Sequence, residues 1–343
     1  MNTRRAAART AQFALSFLAT LSLLGAASAA GPYHVADTYH VGGTGGWDYV
    51  TVDPEHHLLF VTRSTHTLVI DAATGKTVAD IPGQQRSHGV ALAPGAGRGF
   101  ISDGKDGSVS VFDLKTYAVL GKIKAEDDAD GIIFDAATNK VLVACGDSGV
   151  LVPIPADADP GSGKADPAID LGGKPEFLAA DGRGMAYVNL VDKKQVAVVD
   201  LKAAKVTAHW STEPGGSPVG MSMDREHRRL FVGCRNPNKM IVMNADDGTV
   251  LASLPIGAGV DATAYDGGAF ASTGDGNITV VGETSPGTFE VVQSVPTARG
   301  ARTMCVDAGT HALYLPTAEF GPAADGGRPP AVPGSFKILV VTR

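Results

Sequence analysis

The chain restates one short pattern at a near-constant interval, and this periodicity constrains its fold more than any other feature. "GWDYVTVDPEHHLLFVTR" (46–63), "VGMSMDREHRRLFVGCR" (219–235) and "RTMCVDAGTHALYLPT" (302–317) share one order. Each runs through an apolar stretch, an aspartate, a polar turn and a second apolar stretch holding an aromatic. The aspartate sets the phase at Asp53, Asp135, Asp181, Asp224, Asp266 and Asp307, with Ala93 in the second slot. Successive slots are 40, 42, 46, 43, 42 and 41 residues apart. Seven units therefore start near residues 47, 87, 129, 175, 218, 260 and 301.

Within a unit the apolar runs are four to six residues long, rich in Val, Ile and Leu, and bounded by Gly, Asp and Asn. Such runs read as short antiparallel strands joined by tight turns. No stretch sustains a helical period, so helix outside the N-terminal segment should be almost absent. Forty-three Gly and twenty Pro fit a turn-rich chain, and 44% hydrophobic residues suffice for a core. Units of about 42 residues with four short strands match the blades of a β-propeller. A lone blade cannot bury both of its faces, whereas blades packed around an axis can. The expected fold is all-β: a seven-bladed propeller of four-stranded antiparallel blades. The last unit ends with only three strands, so residues 33–41 are expected to supply its fourth and close the ring.

The first 30 residues read as a signal peptide, with Arg4, Arg5 and Arg9, an apolar run from Phe13 to Leu24, and "AASAAG" at the cleavage site. The remainder, 31–343, is expected to be a single propeller domain, monomeric, in a periplasm or outside the cell. Loss of the leader would move the formal charge from −7 to −10. An acidic chain with no Lys/Arg cluster argues against a nucleic-acid partner. The absence of a second long apolar run argues against membrane insertion.

The stretch "VDPEHHLLFVTRSTHTLVIDAATGKTV" resembles the YVTN repeat, named for a Tyr-Val-Thr-Asn second strand. That strand here is Phe60-Val61-Thr62-Arg63, and Tyr187-Val188-Asn189 in the fourth unit. "VFDLKT" and "VVDLKA" match the downstream part. The resemblance covers 31–343 and implies a seven-bladed propeller of the exported YncE-like kind. It says nearly nothing about activity.

In a propeller the first strand of each blade lines the central channel. Five residues before each phase position stand Asp48, His88, Asp130, Glu176, Val219, Asp261 and Arg302. Six of the seven are ionisable and should meet at one channel mouth. The loops after the second strands reach the same face and add Arg63, Asn189 and Arg235 as candidate ligand-binding residues. The expected partner is a small molecule or a protein held at this mouth. Asp48, Asp130, Glu176 and Asp261 are also candidate ligands for a divalent cation. Oxygen donors suit Ca²⁺ or Mg²⁺, and His88 would extend the choice to Zn²⁺ or Mn²⁺. A metal-dependent, lactonase-like hydrolase is therefore the alternative to a binding protein. Propeller lactonases of the gluconolactonase kind hold a cation at this place, but with asparagines that this ring lacks. The plain alternative to a ligand site is a water-filled polar channel whose charges are solvated.

Other motifs are absorbed by the repeat. "GDSGV" (146–150) resembles a serine-protease nucleophile motif but aligns with hairpin turns in units two and six. His57, Asn139, Arg228 and His311 each fall four residues after a phase aspartate, which marks a turn device. Cys145, Cys234 and Cys305 form no metal-binding spacing; Cys145 and Cys234, in equivalent slots two units apart, read as packed thiols, and an odd count leaves at least one cysteine free. An insertion at 318–335 is either a cover for the mouth or a surface loop.

Overall fold

The computed structural model describes residues 31–161, 164–323, 327 and 329–343. Residues 1–30, the expected leader, lie outside them. From Pro32 to Arg343 the chain is one compact unit. It is a β-propeller of antiparallel sheets, and the one helical element among the described residues is the single turn Pro94–Ala96. No helix among those residues is long and apolar enough to cross a membrane.

Five sheets have four strands each, in the order expected of a blade. In unit four, for example, Pro175–Ala180, Met185–Leu190, Gln195–Asp200 and Lys205–Ser211 pair in sequence. The expectation of seven separate sheets needs one correction. Units one and two form a single seven-stranded sheet, because one strand, Thr77–Ala93, serves both. Its first part pairs with Ser64–Asp71 and its last part with Arg98–Asp103. Ser87 is the hinge, opposite Ser64 on one side and Asp103 on the other. The segment between the two parts, Gly83–Arg86, is a bulge opposite Thr65, with Gly83 and Arg86 at φ of 95° and 61°, and the strand continues through it.

The closing strand is in place. His34–His40 pairs antiparallel with Lys337–Thr342, with His34 opposite Thr342 and His40 opposite Lys337. The inner strands touch in succession around the ring, and Cys305–Asp307 reaches back to Val50–Asp53.

The core explains the repeated aromatic. Side chains alternate across a strand, so the second strand of each unit serves both neighbours. Leu59 and Val61 pack into a cluster with unit seven, whereas Phe60 between them joins unit two. Tyr187, Phe231, Phe270 and Tyr314 repeat this, each filling the layer toward the following unit. The result is one apolar layer between each pair of neighbouring units.

The phase aspartate caps the first turn. Asp53 Oδ1 accepts from the amides of Glu55 and His56, and Asp224 Oδ1 from those of Glu226 and His227. Such short carboxylates fix tight turns by replacing a backbone acceptor. Four residues after their phase aspartates, His57, Asn139, Arg228 and His311 have φ of 54°, 53°, 55° and 60°. The recurring position is thus the left-handed residue that ends the turn.

Candidate functional site

Asp130, Glu176, Val219 and Asp261 stand early in their inner strands, His88 lies within the shared strand Thr77–Ala93, and Asp48 and Arg302 stand just before Val50–Asp53 and Cys305–Asp307. Neighbouring units anchor ring residues by their carbonyls. Thr62 Oγ1 donates to the carbonyl of His88 (2.8 Å) and Ser102 Oγ to that of Asp130 (2.6 Å). Asn189 Nδ2 donates to that of Val219 (2.9 Å), and Ser272 Oγ to that of Arg302. The second strand of one unit therefore sets the position of the next ring residue.

Asp48, Asp130, Glu176, Asp261 and Arg302 converge on a cavity of about 290 Å³, together with Arg235. His88 lies behind it, 8% exposed, and Val219 is buried. Arg63 and Asn189 are not brought to this cavity. Arg63 is 1% exposed and donates to the carbonyls of Gly42, Thr44 and Gly46 at 3.2, 3.0 and 3.1 Å. Asn189 is fully buried and holds the Val219 and Gly220 carbonyls.

Four further residues line the cavity: Tyr49, Arg86, Asp128 and Lys174. Their signal in the chain is a second repeat phase. Arg86, Asp128 and Lys174 each stand two residues before a ring position, and a spacing of two keeps a strand residue on the same side. Tyr49 stands one residue after Asp48. The equivalent positions hold Gly89, Gly131, Phe177, Gly220, Ala262 and Thr303. Small residues there make room, and Tyr49 meets Phe177 with ring centroids 4.8 Å apart. Units one and four thus meet across the axis, and Tyr49 of this pair lines the cavity.

The mouth is a set of ion pairs. His88 Nδ1 lies 2.6 Å from Asp48 Oδ2 and 3.5 Å from Asp130 Oδ1. Asp261 receives Arg302 Nε at 2.6 Å and also Arg235. Arg86 reaches Asp128 at 3.1 Å, and Lys174 reaches Asp147 at 2.8 Å. Glu176 has no ion pair or side-chain hydrogen bond among the described residues.

Burial alone would strip the proton from His88. The hydrogen bond to Asp48 and the charges of Asp130 and Asp48 outweigh it and hold the imidazole at about 9. Burial raises Glu176 to about 7, helped by the charge of Asp261. Burial also raises Asp130 well above the usual carboxylate range, against the pull of His88. Asp261 is raised by burial in spite of its two arginines. Asp48, His88 and Asp130 offer donor atoms within 4.8 Å of one another, a spacing compatible with a metal ion.

The insertion runs beside this mouth. Phe320 packs 6.0 Å from Trp47, and Phe320 and Ala331 share a small cavity with Trp47 and Arg302. The "GDSGV" segment is a turn: Gly149 donates to the Cys145 carbonyl, and Ser148 Oγ accepts from the Asp127 amide. All three cysteines are free.

No protein-family model matches the chain, and no curated protein matches it. Solved structures do. The hydrazine synthase of Kuenenia stuttgartiensis is similar over 79% of this chain and 92% of its own, with a TM-score of 0.69 and 17% identity. The WD40 repeats of RRP9 are similar over 90% of this chain and 98% of their own, with a TM-score of 0.75 and 11% identity. The fold they share with this chain is a β-propeller. At these identities the likeness extends to fold alone.

Proposed function

We infer that this chain is an exported, seven-bladed propeller of the YVTN kind that captures a small polar molecule at one channel mouth without chemistry. The seven-stranded sheet counts as two blades joined through Thr77–Ala93, so that seven inner strands surround the axis. The reading rests on one observation. A recessed cavity of about 290 Å³ is lined by charges that neutralise one another within the protein, leaving one carboxylate, Glu176, uncommitted. Its volume is near the lower end of small-molecule sites, which begin at about 300 Å³. A recess of that size suits a small ligand better than a protein surface.

The metal-dependent, lactonase-like alternative is kept by the close approach of Asp48, His88 and Asp130. The hydrogen bond of His88 Nδ1 to Asp48 weighs against it. The cation that relieves carboxylate repulsion there is an imidazolium, and a metal ion using Nδ1 would have to displace its proton.

Elemental analysis of protein purified without chelator, with thermal shift against Ca²⁺, Mg²⁺, Mn²⁺ and Zn²⁺, decides between them. The binding reading expects no bound metal and no cation-dependent shift. A shift abolished by the double substitution Asp130→Asn and Glu176→Gln would establish the metal reading instead.

A further inference from the structure

Three polar groups at the mouth remain without partners after the ion pairs have formed: the buried His88 Nε2, behind the cavity wall, and two that line the cavity. One is the Glu176 carboxylate. The other is the Tyr49 hydroxyl: Tyr49 is 7% exposed and lines the cavity, and no described residue hydrogen-bonds that hydroxyl. Ionisation of this phenol is opposed first by burial and then by Asp130, Asp261, Asp48 and Glu176. It therefore stays a neutral hydroxyl facing four carboxyl groups.

The surrounding cations are all engaged. Arg235 and Arg302 serve Asp261, Arg86 serves Asp128, Lys174 serves Asp147, and His88 serves Asp48 and Asp130. What the cavity lacks is a compact group with one positive charge and several N–H donors. An ammonium has three donors and no acceptor, and it suits both a carboxylate and a phenol oxygen. The Tyr49 ring, which lines the cavity, adds a favourable surface for a cation. The rim has the opposite character. The side chains of Arg302, Lys174 and Arg86 are 42%, 50% and 60% exposed there, so a second ammonium on the same ligand would be repelled.

The geometry points to a small primary amine as the ligand of the channel mouth, its ammonium held by Glu176 and Tyr49 and its other end a hydroxyl or carboxylate under the rim. This inference rests on the mouth-binding reading and gives it a chemical class.

The test is calorimetry and thermal shift on the chain without its leader, at pH 7.5, with ethanolamine, 4-aminobutyrate, 1,4-diaminobutane, butyrate and CaCl₂ as separate probes. Ethanolamine and 4-aminobutyrate should bind, and 1,4-diaminobutane more weakly. Glu176→Gln should weaken binding at least tenfold while melting no lower than the parent without ligand. Tyr49→Phe should weaken it severalfold. Binding of butyrate but of no amine would leave the mouth a binding site and overturn the amine class. Amine binding that survives Glu176→Gln, or is strongest for the diamine, would overturn it as well. Binding of Ca²⁺ without any amine would favour the metal reading. If no probe binds, the mouth-binding reading fails with the inference.

Discussion

His88 Nδ1 and Asp48 Oδ2, 2.6 Å apart, join units two and one at the channel mouth, behind the cavity wall. The pair predicts how stability changes with pH. His88 is raised from 6.5 to about 9 and Glu176 from 4.5 to about 7. A group whose folded pKa is raised binds its proton more tightly in the folded state, so its contribution falls as pH rises. For Glu176 that contribution is complete below 4.5 and lost through about 7; for His88 it is complete below 6.5 and lost through about 9. The melting temperature should therefore fall steadily from pH 5 to pH 9.5. Each group accounts for on the order of 1–3 kcal/mol at most. Glu176→Gln should flatten the lower half of the curve and His88→Gln the upper half. A parent curve that is flat over this range would contradict the clamp.

Arg63 predicts a stability effect without a binding effect. Its guanidinium reaches four carbonyls of the 42–46 link and lies 3.8 Å over the Phe336 ring. Burial lowers its pKa to about 10, which still leaves it charged at neutral pH. Arg63→Met should destabilise the fold by roughly 3 kcal/mol, because the link loses the hydrogen bonds of a buried guanidinium that holds it in place. Arg63→Lys should recover only part of this, since one ammonium cannot span the fork. Urea unfolding measures both. Affinity for any ligand of the mouth should change less than twofold.

Removal of residues 31–42 should open the ring. Lys337–Thr342 would become an exposed edge, and Tyr33 would leave the layer between units six and seven. An unpaired edge promotes pairing between chains. The truncated protein should melt lower and associate, and a synthetic peptide of residues 31–42 should reverse both. Unchanged melting would show that closure matters little.

The parts of this structure legible in the chain are those that the repeat enforces. Asp53 and Asp224 recur because the first turn needs a cap, and Phe60 and Phe231 because each layer needs a large side chain at one height. The same phase names Asp48, Asp130, Glu176, Asp261 and Arg302 as sharing a height. It does not say which side chains are engaged beneath the surface. Arg63 and Asn189 share their face with Arg235, yet backbone carbonyls claim the first two, whereas Arg235 gives Nε to the Val260 carbonyl and still reaches Asp261 in the cavity. A donor's nearest acceptor depends on the loop opposite, and a one-dimensional repeat cannot show that. Joining of units one and two through Thr77–Ala93 is hidden for a similar reason. "GQQRS" reads as a turn by composition, and only the two registers on either side of Ser87 reveal a continuous strand. Tyr49 and Phe177 are the two large residues in a column otherwise filled by Gly89, Gly131, Gly220, Ala262 and Thr303, but their meeting across the axis shows only once the ring is closed.

The ligand class predicts its own pH dependence. An ammonium pairs with Glu176 only when that carboxyl is ionised, and burial with the charge of Asp261 holds it at about 7. Simple amines keep their proton well above that pH, as lysine does at about 10.4. Ethanolamine affinity should then rise about tenfold from pH 6 to pH 8 as the ionised fraction grows from roughly a tenth to nine-tenths. It should stay level up to about pH 8.5. Bound amine should in turn pull the carboxyl down, so binding near pH 7 should release protons, seen as a dependence of calorimetric heat on buffer. Glu176→Gln should abolish both the slope and the proton release. A metal ion held by Asp48, His88 and Asp130 would instead compete with the His88 proton, and its affinity would keep rising to about pH 9. The position of the midpoint, near 7 or near 9, therefore separates the two occupants in one titration.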